Sequence, residues 1–153
     1  MGRLVSIHVA AAAGEPMCSV EAVWAHPGQG LAGDRYRLGT GSYSGKPGTG
    51  RECTLIEVEA IQALARELDL PVEPGLARRN LVTEGVALNH LVGREFTVGT
   101  VRLRGTRLCE PCKGLAAATG LPAILPGLIH RGGLRCEILG EGELRVGDPV
   151  TPA

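Results

Sequence analysis

Aromatic residues are almost missing from this chain. One Phe, one Trp and two Tyr make up 3% of 153 residues. A core must therefore be filled by Leu, Val, Ile and Ala. Lysine is nearly as rare: Lys46 and Lys113 are the two in the sequence, so the positive charge is carried by arginine. Arginine suits fixed recognition of phosphate or carboxylate, while a bias of the source genome would give the same ratio without any function. No charge of either sign is in excess: sixteen Lys+Arg balance sixteen Asp+Glu. A nucleic-acid-binding surface, which calls for a basic surplus, is not indicated. The longest uncharged stretch, Gly114 to Ile129, is broken by Gly120, Pro122, Pro126 and Gly127 and cannot form a spanning helix.

The N-terminal run Leu4–Val9 is too short for a secretion signal and reads as a first strand. A cytoplasmic protein is expected, with no membrane partner. The five cysteines (18, 53, 109, 112 and 136) are then expected as reduced thiols rather than a disulfide framework.

Glycine and proline are abundant, at 23 and 10 residues, and they separate short apolar runs. That punctuation predicts a β-rich domain. Strands are expected at Leu4–Val9, Met17–Trp24, Arg51–Ile56, Asn80–Thr83, Glu95–Val98 and from Val101. The segments Leu134–Leu139 and Glu143–Val150 read as a closing hairpin. The glycine-dense stretch from Gly28 to Gly50 predicts a long loop. One amphipathic helix is clear, with Ile61, Leu64, Ala65 and Leu68 on one face and Pro71 beyond its end. Short helices are expected over residues 113–119 and 121–128. About eight strands with few helices predict a mainly β, α+β fold, a closed or strongly curved barrel in a single domain over residues 1–153.

The densest chemical signal is Arg107-Leu108-Cys109-Glu110-Pro111-Cys112-Lys113. It leaves a strand, turns at proline and enters a helix. Cys112 falls at the helix start, where unpaired N–H groups favour a thiolate, and Arg107 and Lys113 add positive charge. The same two cysteines could serve as small hydrophobes. Zinc is a third reading, but no second Cys-x-x-Cys pair is present to complete four ligands. The βαβ context of a thioredoxin-like site is also missing. His130 is the histidine placed nearest these thiols, as a proton carrier. Two further segments stay ambiguous. Gly30–Tyr36 is either a turn with a surface Asp34–Arg35 pair or the mouth of a pocket. Arg78-Arg79-Asn80 is either a solvated strand end or an anion clamp.

Taken together, Gly30–Tyr36, Cys53–Glu57, Arg78–Val86, Leu91–Arg94, Pro111-Cys112 and Gly147-Asp148 follow the order and spacing of the MOSC domain. The chain resembles that family from about residue 4 to 150. The family occurs at the C-terminus of molybdenum-cofactor sulfurases and as a stand-alone protein. The resemblance implies a β-barrel and a sulfur-carrier or molybdenum-cofactor role centred on one cysteine, which Cys112 matches. Cys109 matches a subset of members. The Arg78-Arg79-Asn80 segment matches the place where relatives meet the anionic pterin. The implied set is thus Cys112 and Cys109 for chemistry, and Cys112 as metal ligand. Arg35, Arg78, Arg79, Asn80, Thr83 and Arg107 are implied for the molybdenum cofactor (molybdopterin). Many stand-alone relatives carry His-Gly-Gly in the loop that here reads Gly39–Gly45. No pyridoxal-phosphate lysine site is present, so a desulfurase activity would come from a partner cysteine desulfurase, with a molybdoenzyme as acceptor. The alternative class is a non-catalytic module that binds a pterin or another anion.

Overall fold

The computed structural model describes residues 2–41, 44 and 50–153. Its strands are β1 (Gly2–Val9), β2 (Cys18–Val20), β3 (Ala22–His26), β4 (Gly30–Leu31), β5 (Cys53–Glu57), β6 (Leu81–Glu84), β7 (Glu95–Val98), β8 (Val101–Leu108), β9 (Leu134–Ile138), β10 (Gly142–Arg145) and β11 (Pro149–Pro152). The helices are α1 (Arg35–Leu38), α2 (Val58–Leu68), α3 (Lys113–Thr119) and α4 (Ile124–Gly127). Single 3₁₀ turns cover Pro74–Ala77 and Leu88–Leu91.

Seven strands run β11-β7-β8-β9-β5-β6-β1, and β1 pairs back onto β11 to close a barrel. Closure removes the unpaired edges that an open sheet would leave. β5 and β6 pair in parallel, the other neighbours antiparallel, so the barrel is mixed. β2 hangs on the outside of β1, and β10, β3 and β4 form a separate small sheet.

Alternation fills the barrel. On β8, Val101 and Leu103 are buried while Arg102 and Arg104 are exposed, as period two requires. The sole Phe, Phe96, joins Leu4, Ile7, Leu55, Leu81 and Leu103 in the barrel interior. A second cluster lies outside the wall: Ile56 and Val82 face Ile61 and Leu64 of α2, Leu115 of α3 and Leu128. β5 is therefore covered on both faces, which explains why four consecutive residues, Cys53 to Ile56, are buried.

Three sequence expectations fail locally. Met17–Trp24 is not one strand but two, split at Glu21 between the barrel flank and the small sheet. The expected closing hairpin does not form: β9 joins the barrel between β8 and β5, whereas β10 pairs with β3. Part of the Gly28–Gly50 stretch is ordered as β4 and α1. Ser42, Tyr43, Gly45, Lys46, Pro47, Gly48 and Thr49 in that stretch lie outside the described residues.

Candidate functional site

Asp34 starts α1 as its N-cap, accepting from Tyr36 N through Oδ2. Its Oδ1 also accepts from Ala10 N at 3.1 Å and from Arg35 Nη1 at 3.0 Å. Asp34 is fully buried and Arg35 nearly so, so the pair is internal and not the surface pair that the sequence allowed. A buried charge must be paired, and Asp34 fixes Arg35 in that way. The Arg35 guanidinium then lies over the Tyr36 ring, 5.1 Å from its centroid, and gives its Nη2 to Arg78 O at 3.1 Å.

Arg78 closes the Pro74–Ala77 turn in the left-handed region, φ 60°. Its Nη1 donates to Glu15 O. Its Nη2 is buried and has no hydrogen-bond partner. Burial, then the neighbouring Arg35 guanidinium, lower its pKa below the usual arginine value. An arriving anion would relieve both penalties.

Arg79 is employed differently. It is buried, and it donates through Nε to Gly132 O at 2.8 Å and through Nη2 to Cys109 O at 3.0 Å. It thereby ties the start of β6 to the segments flanking α3 and α4. The reading of this segment as a solvated strand end is overturned.

Cys112 is the exposed N-cap residue of α3, and its carbonyl accepts from Ala116 N at 3.1 Å. It lines a cavity of about 790 Å³ together with Arg35, Tyr36, Arg78, Arg79 and Lys113. That lining holds four basic side chains and no acidic one among the described residues. A smaller recess of about 60 Å³ shares Arg35, Tyr36, Arg78, Arg79 and Cys112, and adds Cys109, Arg51, Arg135, Thr54 and one acid, Glu110. Cys109 is buried, with its N–H on Gly133 O at 2.7 Å.

The structure thus brings Cys112, Cys109, Arg35, Arg78 and Arg79 to one place. Three implied residues lie elsewhere. Asn80 is fully buried and its amide is consumed by Thr54 N, Thr54 Oγ1 and His8 O. Thr83 is fully buried in the barrel wall, with Oγ1 3.5 Å from Ile56 O. Both brace β6 between β1 and β5 and line neither cavity. Arg107 is exposed on β8 and lines neither cavity. Its cross-strand neighbour Arg135 lines the recess instead. Arg135 was missed because only the register of β8 and β9 places it there, and Arg51 because it precedes β5 in a segment with no local signal. His130 pairs its Nδ1 with Glu110 at 3.0 Å and lies off both cavities.

Among the described residues no three His, Cys, Asp or Glu side chains gather as a metal-binding group. Burial pushes the Cys53 and Cys136 thiols well above the usual range. Those two face each other across β5 and β9, inside the barrel.

The MOSC domain profile matches residues 28–151. Solved structures with the same fold include the YuaD protein from Bacillus subtilis, with a TM-score of 0.80, 16% identity, and coverage of 98% of this chain and 94% of that one. YiiM from Geobacillus stearothermophilus has a TM-score of 0.74 and 19% identity, over 100% of this chain and 75% of that one. YiiM from Escherichia coli has a TM-score of 0.70 and 19% identity, over 99% and 69%. No curated protein sequence matches this chain significantly.

Proposed function

The chain belongs to the MOSC domain family, associated with molybdenum-cofactor binding and sulfurase chemistry, and from that premise we propose that it holds an anionic pterin cofactor beside a working Cys112. One observation carries this reading. The exposed thiol shares a wall with Arg35, Arg78 and Lys113, and the buried Arg78 Nη2 lacks an acceptor. The residues fit the group: a cavity of about 790 Å³ lies within the roughly 300–1,000 Å³ usual for small-molecule sites.

In this reading Arg78 and Lys113 donate to the cofactor's anionic end, and Arg35, held by Asp34, keeps Arg78 in place. Cys112 supplies a soft thiolate, the donor type that suits a molybdenum centre. When bound, that centre would supply oxygen- or sulfur-transfer chemistry. As a sulfur carrier, the Cys112 thiolate attacks the outer sulfur of a donor persulfide R–S–SH. The new S–S bond leaves Cys112–S–SH, the old one breaks, and R–S⁻ departs as thiolate. A thiol titrating near ambient pH is best for such exchange. The donor would be a partner cysteine desulfurase and the acceptor a molybdoenzyme.

Protein purified without oxygen should be assayed for molybdenum and pterin, and weighed intact before and after reductant. Bound molybdenum or a reductant-labile increment of one sulfur, both lost in Cys112→Ser, supports the proposal. Neither increment, with anion binding retained, would reduce the protein to a non-catalytic binding module. Among the described residues no helix is long and apolar enough to cross a membrane.

A further inference from the structure

A second cavity of about 360 Å³ adjoins the one that holds Cys112. The two share Gly14, Arg78 and Ala118 in their walls, so Arg78 stands between them. Their linings differ in character. In the first, every charged side chain is basic. The second has one acid, Glu73, and one base, Arg78, and Pro16, Met17 and Leu76 add apolar surface to the same wall.

Glu73 precedes the Pro74–Ala77 turn with extended backbone, φ −68° and ψ 141°, and its side chain makes no capping bond. Its carboxylate has no hydrogen-bond or ion-pair partner among the described residues. Arg78 is held from two sides, by Glu15 O on its Nη1 and by Arg35 Nη2 on its carbonyl, so its position is fixed in advance. A polar group held in place beside an apolar surface is a means by which a small-molecule site sets the orientation of its ligand.

We infer that this second cavity is a substrate subsite for a small organic molecule with a basic end, an apolar body and an oxygen acceptor at the other end. The ammonium or amidinium meets Glu73, the body lies on Pro16, Met17 and Leu76, and the acceptor reaches Arg78, beyond which lies Cys112. Charge decides against simpler ligands. A bare cation is attracted by Glu73 but repelled by Arg78, while a bare anion leaves Glu73 facing like charge. A molecule carrying both, separated by an apolar spacer, satisfies each wall. The inference rests on the proposed function only in taking the Cys112 cavity as the reacting end.

The test uses binding alone, so it is independent of molybdenum and sulfur. Backbone amide NMR would follow titration of the full chain with 4-(aminomethyl)benzoate, 4-methylbenzoate and benzylamine. The zwitterion should shift the amides of Gly75, Leu76 and Thr119 and bind about fivefold tighter than 4-methylbenzoate, the scale of one exposed ion pair. Glu73→Gln, at an exposed position, should abolish that preference, weakening the zwitterion and, with the like charge gone, leaving 4-methylbenzoate at least as tightly bound. The same ranking in Cys112→Ala would show that the subsite stands even if the reading of Cys112 fails. Affinities of all three probes within twofold, an unchanged preference in Glu73→Gln, or shifts confined to other residues would overturn the inference.

Discussion

Arg79 gives two buried carbonyls, Gly132 O and Cys109 O, their hydrogen bonds. Arg79→Ala should therefore cost about 2–4 kcal/mol of stability, since each orphaned buried group costs roughly 1–3 kcal/mol. Lysine should not rescue it, because one ammonium cannot reproduce the fork. Arg78→Ala should lose under about 1 kcal/mol of stability but about 1.5–3 kcal/mol of affinity for a phosphate-bearing pterin, the range for a charged hydrogen bond. Urea melts and calorimetric titration of the two variants would separate these roles. Equal losses in both would merge them. The two exposed thiols, Cys18 and Cys112, separate by electrostatics rather than access. Iodoacetate, drawn by Arg35, Arg78 and Lys113, should favour Cys112 several-fold more than neutral iodoacetamide does, and added salt should erase the difference. Peptide mapping that finds Cys18 preferred by both reagents would contradict the site assignment. The place of Cys112 at a helix start was legible in the sequence because a proline turn followed by a helix start is a local signal. Asn80 and Thr83 misled because their burial depends on β6 lying between β1 and β5, and no local pattern announces that pairing.

Gly105 marks a place where the elements crowd closely. A Cβ built there would lie 2.2 Å from Leu91 O, and the glycine exchanges backbone bonds with Gly93 N at 2.8 Å and Arg94 O at 3.0 Å. Backbone cannot yield as a side-chain tip can, so Gly105→Ala should destabilise by about 2 kcal/mol or more, within the overpacking range. The opposite change is available at the end of α2. Asp69 caps that helix at φ 53°, a conformation costing an L-residue about 1–2 kcal/mol. Asp69→Gly should raise the melting temperature, by about 1 kcal/mol equivalent. A lower melting temperature would show that the Asp69 side chain stabilises something its backbone strain conceals. Period-two and period-3.6 patterns gave β8 and α2 correctly, because one face of each meets solvent. They failed for Leu134–Val150, where two strands look like a hairpin but serve different sheets. Nothing local distinguishes a turn joining neighbours from one joining sheets.

Across the whole molecule, net charge is zero, yet buried ionisable groups still set a pH dependence. His8, in β1, is buried beside Ser6, with its Nε2 2.9 Å from Ser6 Oγ, and burial lowers its pKa from the ordinary 6.5. As pH falls through 6.5 the unfolded chain takes up a proton that the folded one resists. His8 thus contributes full stability above that pH and loses it as pH falls toward its folded value. Glu52 acts in the opposite sense. Burial raises its pKa above 4.5, although its carboxylate accepts from Gly50 N at 3.1 Å and Ile138 N at 3.0 Å. Glu57 is likewise raised by burial. Between 4.5 and those raised values the folded state holds the extra protons, so acidification there is stabilising. Melting temperature should therefore decline from pH 7.5 to 5.5 by no more than one proton's worth, about 1.4 kcal/mol per pH unit. His8→Gln should flatten that decline. Glu52→Gln should steepen the acid limb just above pH 4.5 by removing the opposing contribution, and should itself cost about 1–3 kcal/mol, because its NH₂ cannot accept from a backbone N–H. A decline of the same slope in His8→Gln would place the acid-sensitive group elsewhere in the barrel.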